Sequence, residues 1–233
     1  MSWTYAAVMF AAVATGIVLS RWTQRPLGLT VGQRIAIGLG AFCGAMIAAK
    51  LPFVLADWDG LLTGRAWFDS GKTIVFGLVG GYFGVEIAKW SIGLRVKTGD
   101  SFAVPVAAAV AIGRLACFVG CCCFGSPTTL PWGVDFGDGV RRHPTQLYEF
   151  AFHLVAAGTL AWLARRNALR GQLIKLYIIA YLAYRFLTEF IRPEPVLWNG
   201  LTGYQLASAA LIPVFVLLWI QDRRKLSAPL AAS

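Results

Sequence analysis

The sequence predicts an all-α fold: a polytopic membrane helical bundle of about seven transmembrane helices, with the N-terminus outside and the C-terminus cytoplasmic. Three observations carry this. Hydrophobic residues make up 58% of the 233 and charged residues only 14%, where soluble chains average roughly 45–50% apolar. Continuous apolar runs of about 20 residues recur, the length that crosses a hydrocarbon core ~30 Å thick. Lysine and arginine gather on alternate connections between those runs, as the positive-inside rule requires. The same composition excludes a disordered chain, a collagen and a disulfide-rich secreted fold.

Taken in order, the expected spans are 3–20, 32–56, 73–94, 102–123, 145–163, 172–191 and 200–220. The runs are continuous and do not alternate, which selects helices over a barrel. No basic segment precedes the first run, so it reads as a retained helix and not a cleaved signal peptide. The fourth and sixth runs are interrupted by charge. Loops 57–72 and 124–144 are the longest connections, rich in Gly, Pro, Asp and Trp, and are expected to lie at the outer interface. No internal repeat is visible, so residues 1–233 are expected to form one integral membrane domain.

The net charge of +10 follows from topology. Thirteen of the 21 basic residues fall on one side: Arg21, Arg25 and Arg34; Lys89, Arg95 and Lys97; Arg165, Arg166, Arg170 and Lys175; Arg223, Arg224 and Lys225. Six fall on the other: Lys50, Arg65, Lys72, Arg141, Arg142 and Arg192. This excess faces the cytoplasm and its anionic lipid heads, and nucleic acid is not needed to explain it.

Charges at membrane depth are costly and mark function by default. Glu86, Arg114, Glu149, Arg185 and Glu189 stand out. Pairing within the bundle is the structural alternative, and Arg185 with Glu189 is spaced i,i+4 for it. Two arginines in different spans point further, to an anionic ligand, because guanidinium offers planar bidentate donors suited to phosphate.

The most informative stretch runs from Gly113 to Glu149. It reads G-R-L-A-C-F-V-G-C-C-C-F-G, then a polar loop, then R-H-P-T-Q-L-Y-E. These segments resemble the G-R-x-G-N-F-x-x-G-E-x-x-G and R-H-P-S-Q-L-Y-E motifs of the bacterial prolipoprotein diacylglyceryl transferases. Tyr181 to Arg185, Glu189 and Arg192-Pro193 are similar to the family's Y-x-x-x-R-x-x-x-E-x-x-R-x-P segment. Gly203-Tyr204-Gln205 resembles its M-G-Q signature, and residues 79–84 its H-G-G-L-I-G motif. The likeness covers about residues 70–220.

The resemblance implies a multi-pass enzyme of the bacterial plasma (inner) membrane. It would move diacylglyceryl from phosphatidylglycerol to a prolipoprotein cysteine thiol, with no cofactor and no metal. Arg114 and Arg185 then hold the lipid phosphate, with His143 and Glu149 completing the catalytic set. Glu189 orients Arg185. Tyr181, Gly125, Gln146, Tyr148, Gly80, Gly81 and Gln205 bind substrate. Three departures matter: Val79 stands for the His of H-G-G, Cys117 for the Asn of G-N, and Cys122 for the Glu of G-E. A group proposed to help deprotonate the thiol is therefore missing. Two alternatives stay open, a phospholipid-dependent transferase with another acceptor and a non-catalytic lipid-binding protein. Release of glycerol phosphate separates an enzyme from a binder.

The chemistry sets matching demands. Breaking the glyceryl C–O bond leaves a charged glycerol phosphate, which positioned arginines stabilise, while the nucleophile must lose a proton to a base. His143, Glu86 and Glu149 are the candidates for that base. His143 sits at the outer boundary, and histidine is the side-chain type suited to proton transfer near neutral pH, whereas His153 in an apolar run reads as hydrogen-bonded core.

Other features carry less. Cys117, Cys121, Cys122 and Cys123 lack the C-x2-C spacing of zinc sites, and consecutive cysteines on a helix cannot face one metal. Cys117 and Cys121 share a helix face at i,i+4, and the cysteines read as small apolar packing residues. A covalent thiol function and an outward disulfide are the alternatives. Ser70-Gly71-Lys72-Thr73 resembles the end of a phosphate-binding loop, but Ala66 replaces its required glycine. Gly77/Gly81 and Gly80/Gly84 have the GxxxG spacing of close helix packing. Trp90, Trp132 and Trp198 are expected interface anchors.

Overall fold

The structure, a computed structural model, describes residues 3–68 and 71–227, with side chains through Arg224. Ser70 of the glycine-lysine run, and with it part of loop 57–72, lies outside the described residues. Backbone packing divides the chain into two compact units, residues 1–23 with 98–233, and residues 24–97.

The larger unit contains α1 (Trp3–Gln24), α5 (Gly99–Val119), α6 (Thr145–Arg165), α7 (Leu173–Thr188) and α8 (Gly203–Ser227). The helices alternate in direction. At one end the start of α5 meets the end of α1, where the Thr23 hydroxyl donates to Ser101 O at 2.6 Å. There Asp100 accepts from the Gly171 and Leu173 amides at the start of α7, satisfying donors that a helix N-terminus leaves open. Lys175 Nζ reaches Asp222 of α8 at 2.7 Å. At the opposite end lie the last turn of α5, the first turns of α6 and α8, and the last turn of α7. Alanines 103, 107 and 111 are fully buried, and this i,i+4 row gives α5 a smooth face that other helices approach closely.

In the smaller unit α2 (Val31–Ala56) and α4 (Ile74–Ser91) pack antiparallel, joined through α3 (Trp58–Thr63) and a 3-10 turn at Arg65–Trp67. Thr30 and Gln33 form a capping box at the start of α2, and Asp57 caps α3 through Gly60 N. The seam is built from Gly40 and Gly44 against Gly80 and Gly84. A Cβ added at Gly80 would strike Gly44 O and Ala48 Cβ, and one at Gly40 would lie 2.5 Å from Gly84 O. Backbone therefore touches backbone, as the glycine spacing predicts. Loop 57–72 holds a short helix that leaves Trp58 and Leu62 exposed, and Phe68 beyond the 3-10 turn is exposed as well.

Among the described residues, five helices are long and apolar enough to cross a membrane: residues 3–27, 31–56, 99–119, 145–165 and 203–224. The chain is a polytopic helical membrane protein. Two of the seven expected spans fall short of that test. α4 has 18 residues and includes Glu86 and Lys89, paired at 2.9 Å. α7 has only 16, and Leu173, Ile174, Tyr177, Ile178, Tyr181 and Leu182 are all buried by protein. A helix sheathed by its neighbours need not be apolar all round, which is why its charges interrupted the run.

The fold is also not purely helical. Loop 124–144 holds an antiparallel ribbon of β1 (Val134–Asp135) and β2 (Arg141–Arg142). A second ribbon, β3 (Val196–Trp198) with β4 (Leu201–Thr202), takes the start of the expected seventh span. Asn199 and Gly200 close it with φ of 46° and 78°, the geometry of a type I′ hairpin turn.

The glycine seam makes a direct prediction. Gly80→Ala should destabilise the protein in detergent by about 1–3 kcal/mol, the usual cost of overpacking, read from its thermal melt. Gly38→Ala, where an added Cβ meets nothing within 4 Å, should melt as the parent does. An unshifted Gly80→Ala melt would mean the helices do not touch there.

Candidate functional site

Four buried charged residues and the half-buried Arg192 meet at the end of the larger unit opposite the Lys175–Asp222 pair. Arg114, on the last full turns of α5, pairs through Nε with Glu149 Oε2 of α6 at 2.5 Å. Arg185, on the last turn of α7, pairs with Glu189 at 2.8 Å. This is the i,i+4 pairing expected from sequence. Arg192, which sequence placed among ordinary loop charges, lies 4.0 Å from Glu149 Oε1 and donates to Thr145 Oγ1 at 3.4 Å. Its backbone N–H also binds Glu189 O, tying the two pairs together. A further carboxylate, the more exposed Glu194, lies 3.9 Å from Arg192.

Glu189 is held from behind. Glu189 Oε1 accepts from the Thr202 hydroxyl at 2.9 Å, and Gln205 Oε1 accepts the Thr202 amide at 3.0 Å. Gln205 Nε2 donates to Phe186 O. The β3–β4 ribbon thus delivers Thr202, and the first turn of α8 delivers Gln205. The Tyr204 ring lies under the Arg185 guanidinium at 4.6 Å, a cation–π contact. Arg114 Nη2 and Arg192 Nε are buried and meet no hydrogen-bond acceptor among the described residues. Buried guanidinium donors without acceptors are costly unless an anion satisfies them.

The loop before α6 closes against this cluster. Gly125 N binds His143 O and Ser126 N binds Ile191 O. A Cβ on Gly125 would lie 2.6 Å from Ile191 O and 2.8 Å from both His143 Cβ and Thr145 Cγ2, so close approach demands glycine here. Thr145 Oγ1 donates to Cys123 O, and Gln146 Nε2 to Cys122 O at 2.6 Å. The His143 ring faces the Tyr148 hydroxyl at 3.3 Å, and Trp132 Nε1 donates to the same hydroxyl at 2.8 Å. Tyr148 therefore joins His143 and Trp132. Tyr181 is fully buried beside His153, ring centroids 4.9 Å apart. His153 itself faces Tyr177 Oη at 2.9 Å, as expected of a core histidine. Outside the helices, Asp138 is held below the usual carboxylate range by its hydrogen bond from Arg142. Gly80 and Gly81 belong to the smaller unit and face α2.

The cysteines correct the sequence reading. α5 ends at Val119, and Cys121 takes the left-handed conformation at φ 48°. Cys122 N then binds Cys117 O, and Cys121 N binds Phe118 O, each at 3.1 Å. That pair of bonds is a Schellman motif, which returns the residue after the left-handed position onto the helix. Cys122, not Cys121, is therefore the neighbour of Cys117. Cys123, also left-handed at φ 62°, brings in a third sulfur. The Sγ atoms of Cys117, Cys122 and Cys123 lie within 4.8 Å of one another, and Arg114 Nη1 stands 3.7 Å from that of Cys117. The Cys123 thiol is held below the ordinary cysteine range, first by its hydrogen bond from Cys117 and then by Arg114. All five cysteines are free thiols.

A family model described as prolipoprotein diacylglyceryl transferase matches residues 2–221. The chain belongs to that family. Relatives named phosphatidylglycerol–prolipoprotein diacylglyceryl transferase include one from Cupriavidus necator, 36% identical, which covers 82% of this chain and 71% of its own. Another, from Leifsonia xyli subsp. xyli, is 30% identical over 95% of this chain and 75% of its own. A third, from Clostridium tetani, is 26% identical over 82% and 81%. The family is one of transferases, and this member is a multi-pass membrane protein.

The ribbon's grip on Glu189 is testable without substrate. Thr202→Val should cost about 1–3 kcal/mol, because it removes the hydroxyl donor from a buried carboxylate. Thr202→Ser should restore most of the loss. Equal thermal melts for the parent and Thr202→Val would show that Glu189 does not depend on this bond.

Proposed function

We propose that this protein transfers a diacylglyceryl group from phosphatidylglycerol to the cysteine thiol of a prolipoprotein. It would act in the bacterial plasma membrane, with seven helices at membrane depth, N-terminus outside and C-terminus cytoplasmic. One observation carries the reading: Arg114 and Arg192 keep buried guanidinium donors that meet no acceptor among the described residues, at an end of the helices that also holds Arg185. Phosphate chemistry fits such donors, and the printed names of the relatives supply the lipid.

In this reading the phosphate of the donor lipid sits against Arg114 and Arg185, with Arg192 beside them. As the glyceryl C–O bond breaks, negative charge grows on the departing glycerol phosphate. Fixed guanidiniums in a water-poor site stabilise that charge without having to reorganise. Glu149 and Glu189 act as positioning residues. Glu149, paired with Arg114 and 4.0 Å from Arg192, holds those guanidiniums in place. His143, joined to Tyr148 and only half-buried, is the better placed base. Gly125 admits the close loop approach, Gln146 and Gln205 hold the backbone around the site, and Tyr181 packs its floor. Gly80 and Gly81 keep a proposed part in lipid binding through the family likeness.

The test is glycerol phosphate release from phosphatidylglycerol by purified protein given a cysteine-containing acceptor peptide, followed by mass spectrometry. Arg114→Ala and Arg185→Ala should each lose about 100-fold or more in rate, the scale of removing one preorganised charge-stabilising group, while still inserting into membranes. Full activity in either variant would overturn the phosphate assignment. Lipid binding without release in the parent protein would mark it as a binder.

A further inference from the structure

We propose that Cys117, Cys122 and Cys123 form a three-thiolate zinc site beside the arginine cluster, whose fourth coordination position takes the acceptor thiol. The first part rests on geometry. Zinc–sulfur bonds of about 2.3 Å at tetrahedral angles separate sulfurs by about 3.8 Å, and these three already lie within 4.8 Å. The Schellman turn fixes Cys122 over Cys117, and the left-handed Cys123 completes the triangle. Left-handed backbone at a residue with a Cβ costs about 1–2 kcal/mol, and this turn has it at two of three consecutive cysteines. Cys117 and Cys122 are half-buried while Cys123 is exposed, so the cluster opens on one side.

Charge fits as well. Three thiolates and one Zn2+ leave a net charge of −1, and Arg114, paired through Nε with Glu149, turns Nη1 toward Cys117 Sγ at 3.7 Å and offsets part of it. Soft thiolate ligands select thiophilic ions such as zinc over magnesium or calcium. Three protein ligands with one open position is the arrangement that lets zinc bind a reacting group.

The second part rests on the transfer proposed above. A thiol that coordinates zinc gives up its proton outright. The acceptor would bind as R–S–Zn with release of H+. Its sulfur then attacks the glyceryl carbon, forming the C–S bond as the C–O bond breaks and glycerol phosphate departs with the bonding electrons. Zinc and its three cysteines are unchanged at the end. Coordination lightens the demand on His143 as the base that takes this proton, which suits a chain where Val79 and Cys117 stand in place of polar groups expected from the family likeness.

The test uses full-length protein in detergent, stripped with a chelator, reloaded with zinc and desalted. Elemental analysis should find about one zinc per chain. Cys121→Ser should keep it, while Cys117→Ser, Cys122→Ser and Cys123→Ser should each bind at least about 10-fold more weakly. Cobalt loaded in place of zinc should show thiolate charge-transfer absorption. The site is overturned if the parent holds no zinc, if the triple serine variant holds as much as the parent, or if intact mass shows two hydrogens lost to a disulfide. Should a variant leave the monodisperse peak in size-exclusion chromatography, the parent's own stripping and reloading still decides.

The acceptor's part is read without lipid. A peptide with one cysteine should shift the cobalt d–d bands, and its serine counterpart should not. No shift in a protein that still releases glycerol phosphate overturns the metal's role. A clear shift with no release from phosphatidylglycerol counts instead against the transferase reading and leaves the zinc site standing.

Discussion

The cost of burying charge in apolar surroundings governs the arrangement of the larger unit. A lone guanidinium or carboxylate among membrane helices is strongly unfavourable, and two partners with good geometry offset much of that penalty. Arg114 on α5 and Glu149 on α6 meet at 2.5 Å, so these helices are held at one rotation and one depth. Arg192 bridges toward Glu149, and its amide binds Glu189 O. That chain of contacts links the last turn of α7 to the pair. The β3–β4 ribbon and the first turn of α8 complete it by holding Glu189 through Thr202 and Gln205. Had the charges balanced fully within the protein, the cluster would read as structure alone. The buried donors of Arg114 and Arg192 that meet no acceptor among the described residues argue otherwise.

Much of this was legible in the sequence. Long apolar runs declare membrane helices because nothing else satisfies backbone polar groups in lipid. Arg185 with Glu189 follows from helical spacing. The Arg114–Glu149 pair does not, since it joins residues 35 positions apart on different helices and only packing brings them together. Arg192 looked like a loop charge because hydropathy assigns it outside the run, while in space the chain folds back over the cluster. α7 ends at Thr188 and a 3-10 turn follows, a boundary that apolar residues beyond it conceal.

The cysteine turn was hidden for a related reason. Cysteine is apolar enough to prolong a helix pattern, so the run appeared to continue to residue 123. Gly120 was the available signal, but it is the cap residue here, and the left-handed position falls on Cys121. The Asn199-Gly200 pair is a clearer case. It lies between short apolar segments and announces a hairpin, yet the longer apolar run around it suggested the start of a helix.

Glycine and alanine form the seam between α2 and α4, and neither has a side-chain torsion to freeze. Docking the two helices therefore loses almost none of the rotamer entropy that leucine or phenylalanine would surrender at the same contact. Cohesion there comes from dispersion between closely matched backbone surfaces, a force that depends on fit and falls off within an ångström of separation. Residues 24–97 thus hold a helical pair whose association is nearly free of conformational penalty and correspondingly intolerant of added bulk.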